Sequence, residues 1–256
     1  MDYQSYIHNV RKHLEWYKNI VLGVHGNGTY RGHEYGHILT QEHGALNLGL
    51  PESEYTLSGS TLKLKGCPSL KLHMDWRHMN SSQILCISYF YDFISDKNRL
   101  QKLVSSSLNI DAKVVSAAFE YITQDGSNID FVVNLENGGK VYFEIKYTES
   151  EFGPASSKNA DYQMIRERYH SSIEMNDTDY RRQYQLVRNV CLSPGNSNNH
   201  TVFLLPRANS SINTKYEKGI KSIRNVNEFH VQRLYWEDLI EQIHNETVFK
   251  KYFDLI

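Results

Sequence analysis

Apolar and polar residues alternate along the segment Gly139–Ser150, GKVYFEIKYTES. Every second residue from 141 to 145 is apolar, and Tyr142, Glu144 and Lys146 occupy the positions between and after them. This period of two residues predicts a β-strand whose two faces meet different surroundings. One face carries a carboxylate and an ammonium two residues apart, and that placement needs a chemical reason.

A second strand-like run, residues 128–135, precedes this segment and contains Asp130. The residues that connect the two runs are ENGG, and Asn-Gly between two strand patterns is a strong hairpin signal. Folding of this hairpin brings Asp130 towards Glu144 and Lys146.

The register of the hairpin decides how close these charged residues come. A two-residue loop, Asn-Gly, would place Asp130 opposite Ile145 and on the other face from Glu144. A three-residue loop, Asn-Gly-Gly, would place Asp130 opposite Lys146 and on the face of Glu144, with a glycine in the left-handed conformation at the end of the loop. The sequence leaves both registers open.

Two carboxylates and one lysine on a patch of sheet suit the hydrolysis of phosphodiesters. Asp130 and Glu144 offer hard oxygen ligands to Mg²⁺, which polarises a phosphate and lowers the pKa of a bound water. Lys146 can orient or deprotonate that water, or offset the charge of the transition state. The alternative is an ordinary ion pair on a solvated strand face, which contributes little to stability.

The remaining hydrophobic pattern is that of an α/β protein. Helical periodicity covers residues 3–21, 82–94, 97–108, 160–169 and 180–191, and further strand patterns cover 113–122, 201–205 and 231–235. The glycine-rich and histidine-rich residues 23–49 are predicted to be loops. A three-strand meander followed by alternating helices and strands predicts a mixed sheet.

Asp130, the turn and Glu144-Ile145-Lys146 resemble the signature of the PD-(D/E)xK nuclease superfamily. The sequences SNID at 127–130 and FEIKYTE at 143–149, followed by Phe152-Gly153, are most similar to a bacterial branch of restriction endonucleases. The similarity is concentrated in residues 112–153, and Ile129 precedes the aspartate where the motif often has proline.

The resemblance implies a restriction-endonuclease-like core, a mixed central β-sheet flanked by helices, over residues 97–256. Residues 1–96 are then an N-terminal helical and loop region. The implied activity is that of a Mg²⁺-dependent endonuclease, with Mn²⁺ able to substitute, of restriction or phage-defence type. The implied partners are double-stranded DNA and a second copy of the chain in a homodimer.

The resemblance also implies further site residues. A third carboxylate near the metal is common in the superfamily, and Glu120, in the strand pattern 113–122, is the candidate. In similar nucleases a helix after the metal-binding strand carries glutamine and arginine residues that meet the phosphate. The corresponding candidates for nucleic-acid binding are Arg166, Arg181, Arg182, Gln185 and Arg188. A solvated helix face explains these residues equally well.

A competing motif lies near the N-terminus. The residues from His33 to His37, HEYGH, fit the H-E-x-x-H pattern of zinc metalloproteases. That pattern works only on a helix, and Gly32 and Gly36 each cost a helix about 1 kcal/mol. A structural loop is therefore the preferred interpretation. A zinc metalloprotease, and a non-catalytic nucleic-acid-binding module on a nuclease fold, remain the alternatives.

The composition narrows the class of protein and its expected cellular compartment. The chain has 256 residues, of which 40% are hydrophobic and 22% charged, as is usual for a globular protein. No apolar stretch long enough to span a membrane and no secretory signal are present, and the three scattered cysteines suit reduced thiols in a cytoplasmic protein. The net charge of −1 argues against a generally basic nucleic-acid binder but is compatible with a local basic groove.

Overall fold

The computed structural model describes residues 1–124, 126–154, 173–242 and 246–253. The helix predicted over residues 160–169, and with it Arg166, lies outside the described residues. The described helices are α1 Tyr3–Trp16, α2 Ser82–Ser95, α3 Lys97–Lys102, α4 Asp177–Arg182, α5 Tyr184–Val190, α6 Ser210–Ser222 and α7 Glu246–Tyr252. Among them, none combines the length and hydrophobicity that a membrane-spanning segment requires.

A five-stranded mixed sheet forms the centre of the molecule. Its strands are β6 Val114–Ile122, β7 Asn128–Leu135, β8 Lys140–Ile145, β9 His200–Leu205 and β10 Val231–Tyr235, in the order β10-β9-β8-β7-β6. The first three strands form the predicted antiparallel meander, and β9 and β10 run parallel to β8. The predicted fold class, an α/β restriction-endonuclease-like core, is therefore confirmed.

Helices cover both faces of this sheet. On one face, the ring of Phe90 in α2 stacks on Phe131 of β7, with the ring centroids 4.2 Å apart. On the other face, Leu186 of α5 and Ile212 of α6 pack in one cluster with Phe203 of β9. This second layer brings α5 over the strand that carries Glu144 and Lys146.

The N-terminal residues form two small sheets besides α1. One is the hairpin β1 Gly28–Tyr30 and β2 His33–Tyr35, and the other contains β3 Tyr55–Ser58, β4 Thr61–Leu64 and β5 Ser69–Lys71. Buried residues of this region, such as Leu14 and Leu70, belong to the same hydrophobic cluster as Phe131 of the central sheet. The boundary at residue 96 stays a prediction.

The HEYGH segment does not form a zinc-protease helix. His33 and Glu34 are exposed and lie on the strand β2, which pairs with β1 across a turn at Arg31 and Gly32. Both turn residues have a positive φ, of 51° and 80°. Successive side chains of a strand point to opposite faces, so the one-turn spacing that a helix gives to the two histidines is absent. The metalloprotease alternative is wrong in its geometry.

Candidate active site

The hairpin between β7 and β8 places the two predicted carboxylates across from each other. Phe131 pairs with Phe143, and Asp130 and Glu144 are the next residues along the two strands. The loop has three residues between Leu135 and Gly139, whose backbones are hydrogen-bonded at 2.9 Å. Neither predicted register is therefore correct, because the loop begins one residue earlier and Asp130 meets Glu144 instead of Lys146.

The regular pairing of β7 with β8 ends at Phe131 and Phe143. Beyond it, the side chain of Asp130 accepts the hydrogen bond that a backbone carbonyl would otherwise accept from β8. The Oδ2 atom of Asp130 accepts a hydrogen bond of 2.7 Å from the backbone N–H of Ile145. Within the described part of the chain, Oδ1 accepts no hydrogen bond. Burial of the carboxyl group, followed by the nearby charge of Glu144, raises the pKa of Asp130 well above its ordinary value of 3.8, against the effect of Lys146.

Glu144 and Lys146 form a buried ion pair. The Oε1 atom of Glu144 lies 2.7 Å from Nζ of Lys146, and the two side chains are 2% and 10% exposed. This oxygen is itself buried, and the ammonium of Lys146 is its partner among the described contacts. The Oε2 atom accepts a hydrogen bond of 2.6 Å from Nδ2 of Asn189 in α5.

The ammonium of Lys146 is held by carboxylates and by an amide of α5. Burial lowers the pKa of Lys146, but the charges of Glu144, Glu149 and Asp130 outweigh this effect and raise the pKa above its ordinary value. The Nζ atom also donates a hydrogen bond of 3.1 Å to Oε1 of Gln185. Lys146 is therefore protonated, and its partners hold its ammonium group in a fixed position.

Side chains from both ends of the chain hold the backbone that follows β8. Trp236 donates its indole N–H to the carbonyl of Lys146 at 3.0 Å. The hydroxyl of Tyr6 donates to the carbonyl of Tyr147, and that of Tyr3 to the next carbonyl, each at 3.0 Å. Asn209 donates to two carbonyls of the same segment, at 3.2 and 2.8 Å. None of these contacts has a signal in the sequence pattern.

Glu120 lies across from Asp130 on β6, the strand next to β7. Its neighbours Phe119 and Tyr121 pair with the residues that flank Asp130. Glu120 has a φ of 49°, which is rare for a residue other than glycine. Its Oε1 atom accepts a hydrogen bond of 3.0 Å from Nε2 of the buried Gln83 in α2, and its Oε2 atom accepts one from Nδ2 of Asn128.

The donor atoms suit a metal such as Mg²⁺ held by two carboxylates. Within the described part of the chain, no group of three His, Cys, Asp or Glu side chains is arranged as a metal site. Mg²⁺ is commonly bound through one or two carboxylates, with water and phosphate oxygens as its other ligands. Oε1 of Glu144, which faces only the ammonium of Lys146 among the described contacts, and Oδ1 of Asp130 fit that role. Both oxygens of Glu120, in contrast, accept hydrogen bonds from amides.

The predicted basic helix is two helices, α4 and α5, that meet at Gln183. Gln185 reaches the site directly through Lys146, and Arg188 acts one step away, because its Nε donates a hydrogen bond of 3.1 Å to Oδ1 of Asn189. Arg181 and Arg182 are exposed on α4. Sequence reasoning missed Asn189, although its spacing of four residues from Gln185 places both amides on one helix face.

A mixed sheet with an Asp and a Glu-x-Lys on adjacent strands, covered by helices on both faces, defines a restriction-endonuclease-like protein. A family model described as "Restriction Endonuclease associating with ARP" (REase-ARP) matches residues 11–254, and the chain belongs to this family. Membership indicates a nuclease-type function with a nucleic acid as substrate. No curated protein and no solved structure shows significant similarity to the chain.

Proposed function

We propose that this protein is a Mg²⁺-dependent DNA endonuclease whose metal is held by Asp130 and Glu144. The observation that carries the proposal is the meeting of these two carboxylates on adjacent strands with Lys146 at 2.7 Å from Glu144. An ion pair formed only for stability would not need the half-buried carboxylate of Asp130 beside it, which raises the electrostatic energy of the site. A metal ion would relieve that repulsion.

Each residue of the site has its own role in the proposed reaction. Mg²⁺, when bound, would polarise the phosphate and lower the pKa of the attacking water. Lys146 offsets the negative charge that develops on the phosphate, because its raised pKa keeps it charged. Asn189 and Gln185 fix the orientation of Glu144 and Lys146, so that neither group has to reorganise during the reaction. Glu120 is proposed as a further acidic residue at the edge of the site.

The substrate and the assembly are proposed from the family and from symmetry. Double-stranded DNA is the substrate of restriction-type enzymes, and cutting both strands symmetrically favours a homodimer. The family description supports a role in restriction or phage defence, in association with ARP. Mn²⁺ should replace Mg²⁺, since both prefer oxygen ligands.

A plasmid-nicking assay tests the metal-dependent mechanism. We expect the full chain to cut DNA with Mg²⁺ or Mn²⁺, to bind it with poor turnover in Ca²⁺, and to be inactive in EDTA. Glu144→Gln and Lys146→Met should abolish cutting. The matched controls are Glu136→Gln in the exposed hairpin loop and Lys140→Met at the start of β8, and both should retain it.

Two outcomes would contradict the proposal. Cleavage that persists in EDTA after dialysis would exclude the metal mechanism. DNA binding without cleavage in any metal would make the protein a non-catalytic nucleic-acid-binding module on a nuclease fold.

A further inference from the structure

A cleft of about 670 Å³ lies between α4, α6 and the segment that follows the active-site strand. Among the residues that the structure describes, its lining contains four cationic side chains and two acidic ones. The cations are Arg182, Lys215, Lys218 and Lys221, and the acidic residues are Glu151 and Asp179. The cleft is therefore a locally basic surface in a chain whose net charge is −1.

Three of the cations come from one stripe of α6. Lys215, Lys218 and Lys221 recur every three residues and are exposed, while Tyr216 and Gly219 between them are buried. At 1.5 Å per residue, the stripe is about 9 Å long. Among the described residues, none of the three lysines forms an ion pair, so their charges are available to a ligand.

A close helix contact fixes the position of this stripe. A side chain added at Gly219 would place its Cβ 2.2 Å from Oε1 of Gln183. Gly219 of α6 therefore lies directly against Gln183, at the junction of α4 and α5. The lysines on either side of Gly219 are thereby directed to the cleft and away from the sheet.

The cleft is connected to the candidate active site through one amide. The Oε1 atom of Gln185 accepts hydrogen bonds from Nζ of Lys146 at 3.1 Å and from the backbone N–H of Gly153 at 3.0 Å. Gly153 lies between Glu151 and Pro154, which both line the cleft. The lining of the cleft thus comes within two residues of Gly153, which shares the amide oxygen of Gln185 with Lys146.

We propose that this cleft binds consecutive backbone phosphates of the nucleic acid, beside the phosphate to be cut, with Lys218 as the central contact. Successive phosphates of one strand rise by about 3.4 Å, so a stripe of about 9 Å spans two to three nucleotides. Lysines act there as point charges that position the backbone and carry no sequence information. The location beside the cut rests on the proposed function, whereas phosphate binding itself does not.

Salt-dependent binding to a fluorescein-labelled duplex, measured by anisotropy in EDTA to prevent cleavage, tests this site. Each lost phosphate contact should reduce the slope of log affinity against log salt by about one. We expect this loss for Lys218→Ala and for Lys221→Ala. Glu151→Gln should tighten binding, because it removes a like charge to the phosphate. The control Lys12→Ala, exposed on α1, should leave the slope unchanged.

The outcomes separate this site from the catalytic proposal. Unchanged slopes for both lysine variants, in folded proteins with normal melting temperatures, would overturn the cleft even if the enzyme cuts DNA. An equal loss for Lys12→Ala would also overturn it, since the effect would then be non-local. A wild-type chain that binds DNA through these lysines but never cuts it would support phosphate binding in the cleft and contradict the proposed nuclease activity. Failure of the wild type to bind duplex or single-stranded DNA in EDTA would refute the cleft, and if the same protein cuts plasmid DNA in Mg²⁺, the catalytic proposal stands.

Discussion

At the residue scale, the site is a small group of charges that do not balance. Asp130 and Glu144 are neighbours across the strands, and Lys146 neutralises only one charge of the pair. The protein keeps Asp130 in place with one backbone N–H and leaves its other carboxylate oxygen available. Such an arrangement costs stability when no cation is bound, and this cost is measurable.

Asp130→Asn should raise the thermal stability of the metal-free protein at neutral pH. The folded-state pKa of Asp130 is raised above 3.8, so the stability tied to its protonated form is fully present below that pH and is lost as pH rises through the folded pKa. Melting curves of the wild type in EDTA should therefore fall more steeply with pH above 3.8 than those of the variant.

The asparagine can still accept the hydrogen bond from Ile145, so this variant changes charge and little else. Added Mg²⁺ should stabilise the wild type and not the variant. Equal pH dependence of the two proteins would contradict the electrostatic account of the site.

Sequence reasoning at this scale found the three charged residues but not the groups that hold them. Asp130, Glu144 and Lys146 carry a spacing that a strand and a turn convert into proximity. Asn189 and Gln83 are uncharged amides whose role depends on contacts between elements distant in sequence. The local periodicity of hydrophobic and polar residues does not indicate such long-range contacts.

At the element scale, α5 is the support of the buried ion pair. Its two amides lie one turn apart, with Gln185 on Lys146 and Asn189 on Glu144. The side chain of Glu144 is only 2% exposed, so its oxygens depend on these protein partners more than on water.

Asn189→Leu should lower the free energy of unfolding by about 1–3 kcal/mol, because it leaves Oε2 of Glu144 buried without a donor. Gln185→Leu is the comparison and should cost less, since Lys146 keeps its ion pair. Denaturant unfolding of both variants measures the difference. A smaller loss for Asn189→Leu than for Gln185→Leu would show that the amide of α5 does not support Glu144.

The elements themselves could be predicted only where one pattern dominates. The meander and α1 follow clear periods of two and 3.6 residues. The break between α4 and α5 has no glycine or proline to announce it, and Gln183 leaves the helical conformation with φ −122° and ψ 29°. In β6, the left-handed Glu120 disrupts the alternation, so Ala118 and Tyr121 pack in the same cluster.

At the scale of the whole molecule, the candidate active site depends on both ends of the chain. Tyr6 lies in α1, and Trp236 begins the 3₁₀-helix Trp236–Gln242 that precedes α7. Both donate to carbonyls directly after β8. The N-terminal region is thus a structural part of the site, although the sequence offered no purpose for it.

Tyr6→Phe should reduce the rate of cleavage more than its effect on stability would suggest. The variant loses one buried hydrogen bond, worth about 0.5–1.5 kcal/mol of stability, and keeps the ring in the core. A looser backbone at Tyr147 would misplace Lys146, and small misplacements cost large factors in rate. Turnover at saturating DNA, measured with a melting curve, checks this. A rate that falls only with the melting temperature would contradict it.

The indole contact of Trp236 also has a consequence for biosynthesis. This residue lies 90 positions after Lys146, so a nascent chain that ends at β9 contains every acidic residue of the site but not the group that fixes its lysine. A growing polypeptide on the ribosome therefore lacks this contact until Trp236 has emerged and folded back onto the segment after β8. If the protein cuts DNA as proposed, the supported site forms only after residue 236 has been synthesised.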